Sequence, residues 1–210
     1  MKVTDEVYAL DSTRGSYSYL IKGEENILID TGQMWQGEAI LKELQSMNVK
    51  AEEIKNILLT HHDLDHVGNA AMLQKLTKAK LWASSEDIPY IIGDKIRPGI
   101  KRLFSFIFRV KKPENIIPYN KDIKIKDIKV IATPGHTPGH VCVLYKDVLF
   151  VGDLVKVKDE KIWPYPNMNW DEIKLMESIK NIADVPFKWV CPAHGKPIKR
   201  EDRWQEIYSA

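Results

Sequence analysis

The sequence predicts an α/β fold made of two β-rich halves, each with helices on one side. Short runs rich in Val, Ile, Leu and Tyr alternate with segments whose apolar residues recur at helical spacing, and this happens in both halves. The length of 210 residues is sufficient for one well-packed core, so we expect a single domain over residues 1–210. Two such halves would bury their sheets against each other and leave their helices outside.

The first half opens with strands and then alternates helices with strands. Apolar runs separated by turn residues predict the first three strands, at residues 6–10, 17–21 and 26–30. A helix is predicted over residues 37–47, where Ile40, Leu41, Leu44 and Met47 fall at helical spacing. The half continues with a buried strand, a helix and a short strand, at residues 54–59, near 70–76 and at 80–83.

The segment 84–120 breaks this pattern and is predicted to be a helical, lid-like insertion between the halves. Its apolar stripe is Ile96, Ile100, Leu103, Phe104, Ile107 and Phe108, and basic residues surround it. As a lid it would offer Arg97 and Lys101 to an anionic substrate group. A membrane-surface helix, a dimer contact or a helix packed on the body with a solvated basic face would have the same composition.

The second half repeats the arrangement of strands and helices. Strands are predicted at residues 122–126, 128–132, 141–145, 148–151 and 189–193. Helices are predicted near residues 170–182 and 201–208.

A dense group of metal-ligand residue types follows the strand at 54–59. Residues 60–66 contain three histidines and two carboxylates, and carboxylates held so close together would repel one another without a cation. Three more candidate ligands each follow a predicted strand: His136, Asp153 and His194. Residues at the same ends of several strands converge on one cleft, so this pattern predicts a metal site.

Composition and charge place fewer bounds on function. The net charge of +2 favours no class of partner. The sequence contains no apolar run long enough to span a membrane, and residues 1–6 lack the apolar stretch of a signal peptide, so we expect a cytoplasmic protein. Cys142 and Cys191 lie within apolar runs and are expected to be buried small side chains rather than zinc ligands or a disulfide.

These motifs resemble the metallo-β-lactamase superfamily, and the likeness extends along nearly the whole chain. The usual first motif, Thr-His-x-His-x-Asp-His, is followed by a lone His, an Asp and a final His. The matching residues here are His61, Asp65, His66, His136, Asp153 and His194, and Leu28 to Gly32 match a further motif near the start. The resemblance implies a four-layer αββα sandwich with the metal cleft along one edge.

The resemblance also implies two divalent metal ions and their ligands. One ion would take His61, Asp63 and His136, the other Asp65, His66 and His194, and Asp153 would bridge them. The reaction implied is hydrolysis by a hydroxide that the two ions activate, so no Ser or Cys nucleophile is required. Asp65 could both bind metal and orient that hydroxide as the catalytic residue.

This chain departs from the family pattern at Asp63, where a histidine is usual. The three carboxylates and one hydroxide neutralise two divalent ions, whereas a histidine at position 63 would leave one positive charge. The family favours zinc, but a neutral, oxygen-rich site is predicted to shift the preference toward iron or manganese.

Other polar residues are expected to lie around the metals. The resemblance suggests that Asp30 supports the histidine loop, although a turn cap is an alternative, and His140 is a candidate for the same supporting shell. His62 is expected to be a bystander that faces solvent or supports the ligands. Lys156 and Tyr165 are candidate rim residues for substrate, and an ordinary exposed lysine is the alternative for Lys156.

The sequence predicts a hydrolase of a small carbonyl substrate, such as a thioester, an ester or a lactone. It resembles the glyoxalase II-like and lactonase-like branches of the superfamily. The alternatives are a β-lactam hydrolase, a phosphodiesterase or nuclease, a redox enzyme and a non-catalytic binding protein. We expect a small-molecule substrate and no nucleic-acid partner, and the sequence does not determine the oligomeric state.

Overall fold

The computed structural model describes residues 1–97, 111–119, 123–166 and 168–207. The chain divides into two compact units, Met1–Pro118 and Tyr119–Ala210. Both units combine a β-sheet with helices, so the α/β class predicted from sequence is confirmed. The single-domain organisation stays a prediction.

The first unit contains a six-stranded mixed sheet in the order β1-β2-β3-β4-β5-β6. Its strands are β1 Val7–Ala9, β2 Tyr19–Ile21, β3 Asn26–Ile29, β4 Ile54–Leu58, β5 Lys80–Ala83 and β6 Ile117–Pro118. The first three strands pair antiparallel, and β3 to β6 pair parallel. The loops after β3 and β4 therefore emerge at the same edge of the sheet, which places Asp30 beside the histidine loop.

Helices cover one face of this sheet. They are α1 Gly37–Ser46, α2 Leu64–Val67, α3 Ala70–Thr77 and α4 Ile88–Ile91, and 3-10 turns occur at Asp11–Thr13 and Ala51–Glu53. Ile40 and Leu44 of α1 and Leu73 of α3 are buried against Leu28 and Ile57 of the central strands. Burial of these apolar faces, at roughly 25 cal/mol per Å², is the main force that holds α1 and α3 on the sheet.

The second unit contains a five-stranded sheet in the order β13-β12-β9-β8-β7 and a separate β10-β11 hairpin. The strands are β7 Ile128–Ala132, β8 Val141–Tyr145, β9 Val148–Gly152, β10 Val155–Lys158, β11 Lys161–Pro164, β12 Trp189–Pro192 and β13 Ile198–Lys199. β9 and β12 are adjacent and parallel. Their carboxyl ends therefore place Asp153 and His194 side by side.

Two helices pack on this second sheet, α5 Glu172–Ile182 and α6 Arg203–Glu206. Asp171 caps α5, because its carboxylate accepts a hydrogen bond of 3.0 Å from the Lys174 amide. Leu175 and Ile179 of α5 and Trp204 of α6 are fully buried in the core of this unit.

Several elements differ from the sequence-based prediction. The predicted strand at 122–126 is wrong for its described residues: residues 123–127 form coil and a turn that the Ile128 amide closes on the Ile125 carbonyl, and Asp127 has a φ of 61°. The alternating pattern there reflects burial of Ile125 alone. The last helix is shorter than predicted. The β10-β11 hairpin was not predicted, because its two strands are short and polar on one face.

The lid-like insertion is described only in part. Residues 84–97 form α4 and a turn, and residues 111–119 include β6. Most of the predicted stripe and Lys101 lie outside the described residues. In the described ranges, no helix is long and apolar enough to cross a membrane.

Both cysteines are free and fully buried, as predicted. Burial raises the pKa of Cys142 to about 12, although the Thr133 hydroxyl opposes this by donating a hydrogen bond to the sulfur. Burial also raises the pKa of Cys191 well above its usual value.

We therefore expect both thiols to stay protonated and unlabelled by an aromatic disulfide reagent in the folded protein near pH 8, and both to react after unfolding in denaturant. Rapid labelling of either thiol in the native protein would contradict this.

Gly135 allows α5 to approach the loop that carries His136. It has a φ of +143°, and a Cβ there would lie 2.4 Å from the backbone of Leu175. We expect Gly135→Ala to destabilise the protein by about 2–4 kcal/mol, because the backbone conformation and the close approach both disfavour a side chain. Thermal or urea unfolding would measure the loss. Gly23→Ala is the control, since a Cβ at Gly23 meets nothing within 4 Å, and an equal loss there would contradict the packing argument.

Candidate metal centre

The histidine loop of the first unit leaves the sheet at the end of β4 and enters the single turn of α2. Residue 63 is extended, and its carbonyl accepts hydrogen bonds of 2.9 and 3.0 Å from the amides of His66 and Val67. The turn brings Asp65 and His66 to the same side as His61 and Asp63. The ring centroids of His61 and His66 are 3.9 Å apart.

The loop after β3 holds this turn in place. The amide and the hydroxyl of Thr31 each donate a 2.7 Å hydrogen bond to the carbonyl of His66. Gly68 lies so close to the same loop that a Cβ would be 2.5 Å from the Met34 amide nitrogen. Since glycine alone fits there, the position of α2 depends on residue 68.

Asp30 fixes the ring of His66. Its φ is 57°, a left-handed conformation that Asp tolerates better than most residues. One carboxylate oxygen accepts two hydrogen bonds, one of 2.8 Å from Nδ1 of His66 and one of 2.7 Å from the Thr60 hydroxyl. The other oxygen accepts a hydrogen bond of 2.8 Å from the Thr60 amide. Because a carboxylate only accepts, Nδ1 of His66 carries the proton and Nε2 carries the lone pair that a metal needs.

The same network fixes His61. The Thr60 hydroxyl uses its proton on Asp30, so at 3.1 Å from Nδ1 of His61 it is an acceptor for that ring. His61 then also presents an Nε2 lone pair. One buried carboxylate thus sets the tautomers of both histidines.

The distances between histidines and carboxylates in this unit fit shared metal ligation. His61 Nε2 lies 3.6 Å from Asp63 Oδ2, and His66 Nε2 lies 3.8 Å from Asp65 Oδ2. Both separations exceed the usual hydrogen-bond range of about 2.7–3.2 Å. Two ligand atoms each about 2.1 Å from one ion at a tetrahedral angle would lie roughly 3.4 Å apart. The donor atoms are therefore spaced as neighbours around an ion rather than as hydrogen-bond partners.

In the second unit, Asn169 fixes His136. The Asn169 amide nitrogen donates to the Tyr165 carbonyl at 2.9 Å and to the Glu172 carboxylate at 3.0 Å. Its oxygen must therefore be the atom that accepts from His136 Nδ1 at 2.7 Å. In His136, as in His61 and His66, Nε2 therefore carries the lone pair that could bind a metal.

Asp153 faces two histidines with its two oxygens. Oδ2 lies 3.5 Å from His136 Nε2, and Oδ1 lies 3.4 Å from His194 Nε2. His140 orients this residue, because its Nε2 accepts a 3.2 Å hydrogen bond from the Asp153 amide while its Nδ1 lies 2.8 Å from the Thr133 hydroxyl. This geometry suits a carboxylate that binds through both oxygens.

The donor set suits divalent metal ions. The side chains that could hold such ions are His61, Asp63, Asp65 and His66 in the first unit and His136, Asp153 and His194 in the second. Imidazole and carboxylate donors fit zinc, iron or manganese. The identity of the metal is not fixed by these residue types.

Arg97 lies beside Asp63 in the first unit. Its guanidinium donates to Asp63 Oδ1, and both side chains are buried. The sequence predicted that Arg97 binds an anionic substrate group, and this stays a prediction. In the structure its guanidinium has a carboxylate partner within the histidine loop.

Sequence reasoning missed the support of His62. Its ring Nδ1 and its main-chain amide each lie 3.0 Å from Asp87 Oδ2, and its ring stacks on Tyr90 at 4.6 Å. His62 is buried rather than solvent-facing. The segment before Arg97 thus packs on the histidine loop, and nothing in its spacing indicated this, because the contact joins residues far apart in sequence.

The two predicted rim residues differ in their surroundings. Tyr165 packs edge-on against His136 at 4.8 Å and lies 5.3 Å from the ring of His194. Lys156 is half-buried in the β10-β11 hairpin, opposite Trp163. Tyr165 therefore directly borders the rings of His136 and His194.

Comparison with known proteins agrees with this chemistry. A family model described as the metallo-beta-lactamase superfamily matches residues 12–194. A probable metallo-hydrolase of Methanocaldococcus jannaschii is 27% identical over 189 residues, which cover 86% of this chain and 88% of that protein. An uncharacterized protein of Aquifex aeolicus is 33% identical over 168 residues, which cover 77% and 73%.

Solved structures are similar over most of the chain. A protein crystallised in a di-iron-bound form has a TM-score of 0.69 and 26% identity, covering 87% of this chain and 89% of its own. A metallo-β-lactamase family protein of Thermus thermophilus has a TM-score of 0.76 at 21% identity, with 99% and 80% covered. A B3 metallo-β-lactamase with an active-site glutamic acid has a TM-score of 0.73 at 19% identity, with 99% and 88% covered. The chain therefore belongs to the metallo-β-lactamase superfamily of metal-dependent hydrolases.

Proposed function

We propose that this protein hydrolyses a small carbonyl substrate, a thioester, an ester or a lactone, with the help of two divalent metal ions. The observation that carries the proposal is the set of four histidine–carboxylate separations of 3.4–3.8 Å, at which imidazole and carboxylate donors suit ligation better than hydrogen bonding. Three of the four histidines also have a partner that directs Nε2 toward the ligand position.

The ligand sets follow the family pattern. One ion would be held by His61, Asp63 and His136, the other by Asp65, His66 and His194, with Asp153 between them. When bound, such ions supply Lewis-acid activation of water and of a substrate carbonyl. The protein contributes ligands whose tautomers are set before any ion arrives.

Asp65 is the carboxylate best suited to contact the reacting groups. Its side chain is 30% exposed, against 7% for Asp63 and 2% for Asp153. A partly exposed carboxylate can orient a water and hold its proton, whereas a buried one serves mainly as a ligand. We assign Asp65 as the catalytic residue.

The identity of the metal can be argued from donors and charge. A similar protein was crystallised with two irons, and the carboxylate donor Asp63 favours a hard ion such as iron or manganese. The sequence predicted that two divalent ions, three carboxylates and one hydroxide would form a neutral site. The Arg97 guanidinium, however, offsets the charge of Asp63, so the same set would carry one positive charge. We infer that zinc, the family metal, and iron both remain compatible with this donor set.

The substrate class rests on the family and on the border of the site. Tyr165 offers an apolar face beside two ligand histidines, which suits a neutral acyl group. Lys156 would hold a substrate anion, and the proposal includes no nucleic-acid partner. Lys101, which lies outside the described residues, and a cytoplasmic location remain predictions.

Screening the zinc- and iron-loaded protein would test the function. Thioesters, lactones, a chromogenic cephalosporin and bis(p-nitrophenyl) phosphate distinguish the candidate reactions. We expect turnover of a thioester, ester or lactone, and loss of turnover after chelation with recovery on adding metal. Turnover of the cephalosporin or the phosphodiester alone would contradict the proposed substrate class.

Asp65→Ala should abolish hydrolysis, with a decrease in kcat of at least about 100-fold, because it removes both a ligand and the residue that orients water. Steady-state kinetics would measure the decrease. Asp184→Ala, at an exposed carboxylate outside the site, is the control and should keep full activity. Retention of activity in Asp65→Ala would overturn the two-metal assignment.

Asn169→Ala should weaken metal binding about 10- to 100-fold, because His136 loses the partner that fixes its tautomer. Competition with a chromophoric chelator would measure the affinity. Asn56→Ala is the matched control: this asparagine accepts from the Trp82 indole and contacts no ligand histidine in the described structure, so it should lower stability but leave metal affinity unchanged. Equal metal affinity in Asn169→Ala and the wild type would show that Asn169 does not support the ligand.

A further inference from the structure

We propose that Asp63 and Arg97 act as one neutral ion pair that takes the place of the histidine usual at position 63, with Arg97 supplying the charge that balances this carboxylate. This inference rests on the proposed metal-dependent function and concerns the first unit alone. It explains how a carboxylate can occupy a position where the family pattern has a neutral imidazole.

The two oxygens of Asp63 face different partners. Oδ1 accepts a hydrogen bond from the Arg97 guanidinium, while Oδ2 lies 3.6 Å from Nε2 of His61. Arg97 thus holds one oxygen of Asp63, and the other oxygen faces the position where a shared metal ion would lie. The arrangement parallels His66 and His136, whose Nδ1 atoms bind a supporting residue while Nε2 carries the lone pair that a metal needs.

Burial makes the charge of this pair important. The side chains of Arg97 and Asp63 are only 8% and 7% exposed, so water screens neither charge well. A lone buried guanidinium would repel a divalent ion, and a lone buried carboxylate would add a negative charge beside that of Asp65. Together the pair carries no net charge, which is also the charge of a neutral histidine.

Two neighbouring residues, His62 and Asp87, do not alter this comparison. His62 Nε2 lies 3.9 Å from Asp63 Oδ1, and its other ring nitrogen lies 3.0 Å from Asp87. These two residues are unchanged in the variants below, so their charges are common to all of them. Differences among those variants therefore report on positions 63 and 97.

Four proteins form the test: the wild type, Asp63→His, Arg97→Met and the double variant Asp63→His/Arg97→Met. Each is stripped of metal and titrated with zinc against a chromophoric chelator to give the number of ions bound and their dissociation constants. Thermal unfolding of each metal-free protein provides a second readout that needs no activity. Arg200→Met is the control for loss of an arginine, since Arg200 donates to the carbonyls of Val185 and Ala183.

Zinc affinity should follow the net charge of the pair. Asp63→His alone should weaken binding of one ion about 100-fold, because Arg97 then lacks its carboxylate beside that ion. The double variant should bind within about threefold of the wild type, and Arg97→Met should bind no more weakly than the wild type, because removing a cation favours an ion nearby. Arg200→Met should lower stability without changing zinc affinity.

In the metal-free proteins, each single variant should unfold at a lower temperature than the wild type, because each leaves one buried charge without its counter-charge. The decrease in unfolding temperature of the double variant should be smaller than the sum of the decreases in the two single variants. If Asp63→His gives no soluble protein, recovery of soluble, zinc-binding protein in the double variant is the same result. If the double variant recovers neither the zinc affinity nor the stability that Asp63→His loses, the proposed role of the ion pair is overturned.

Other outcomes are equally decisive. A tenfold or larger loss of zinc affinity in Arg97→Met (~1.4 kcal/mol) would show that Arg97 shapes the site rather than balancing its charge. A wild type that binds zinc but hydrolyses none of the substrates would contradict the proposed function. The order of zinc affinities among the four proteins would still test the proposed ion pair. A wild type that binds no zinc, iron or manganese would contradict both.

Discussion

The carboxylate of Asp30 is the group on which the histidine loop of the first unit depends. It ends a buried strand in a left-handed conformation and accepts hydrogen bonds from the Thr60 amide, the Thr60 hydroxyl and the His66 ring. Through Thr60 it also sets the proton position on His61. Because β3 and β4 are adjacent and parallel, one residue at the end of β3 can order the loop that follows β4.

In the second unit, neutral side chains orient the corresponding residues. Asn169 directs His136, and His140 holds the backbone of Asp153. Asn169 itself is fixed by the Tyr165 carbonyl and by Glu172 at the start of α5, so the helix terminus and the ligand are ordered together. In both units a supporting residue orients a side chain that we propose as a metal ligand.

Asp63, which stands where the family pattern has a histidine, has its counter-charge on a residue distant in sequence. A carboxylate in place of histidine adds a negative charge to a buried site, and Arg97 supplies the opposite charge from the segment that follows α4. The same segment also provides Asp87 and Tyr90, which hold His62. The lid-like role of residues 84–120 stays a prediction, and in its described part this segment contacts the histidine loop through Asp87, Tyr90 and Arg97.

The sequence by itself determined the α/β class and the order of most strands, because hydrophobic periodicity is a local property of the chain. Its motif spacing, which is also local, predicted the seven metal-ligand residues. It also indicated Asp30 and His140 as supports for the ligands. Only the tertiary structure decided the partners of Asp63, His62 and His136. Arg97, Asp87 and Asn169 lie 25 to 34 residues from the groups they bind, and side-chain pairing across that distance depends on how the loops fold together. The coil at 123–127 has a similar cause: its alternating pattern predicted a strand, but the burial of Ile125 and the turn at Asp127 decided its conformation.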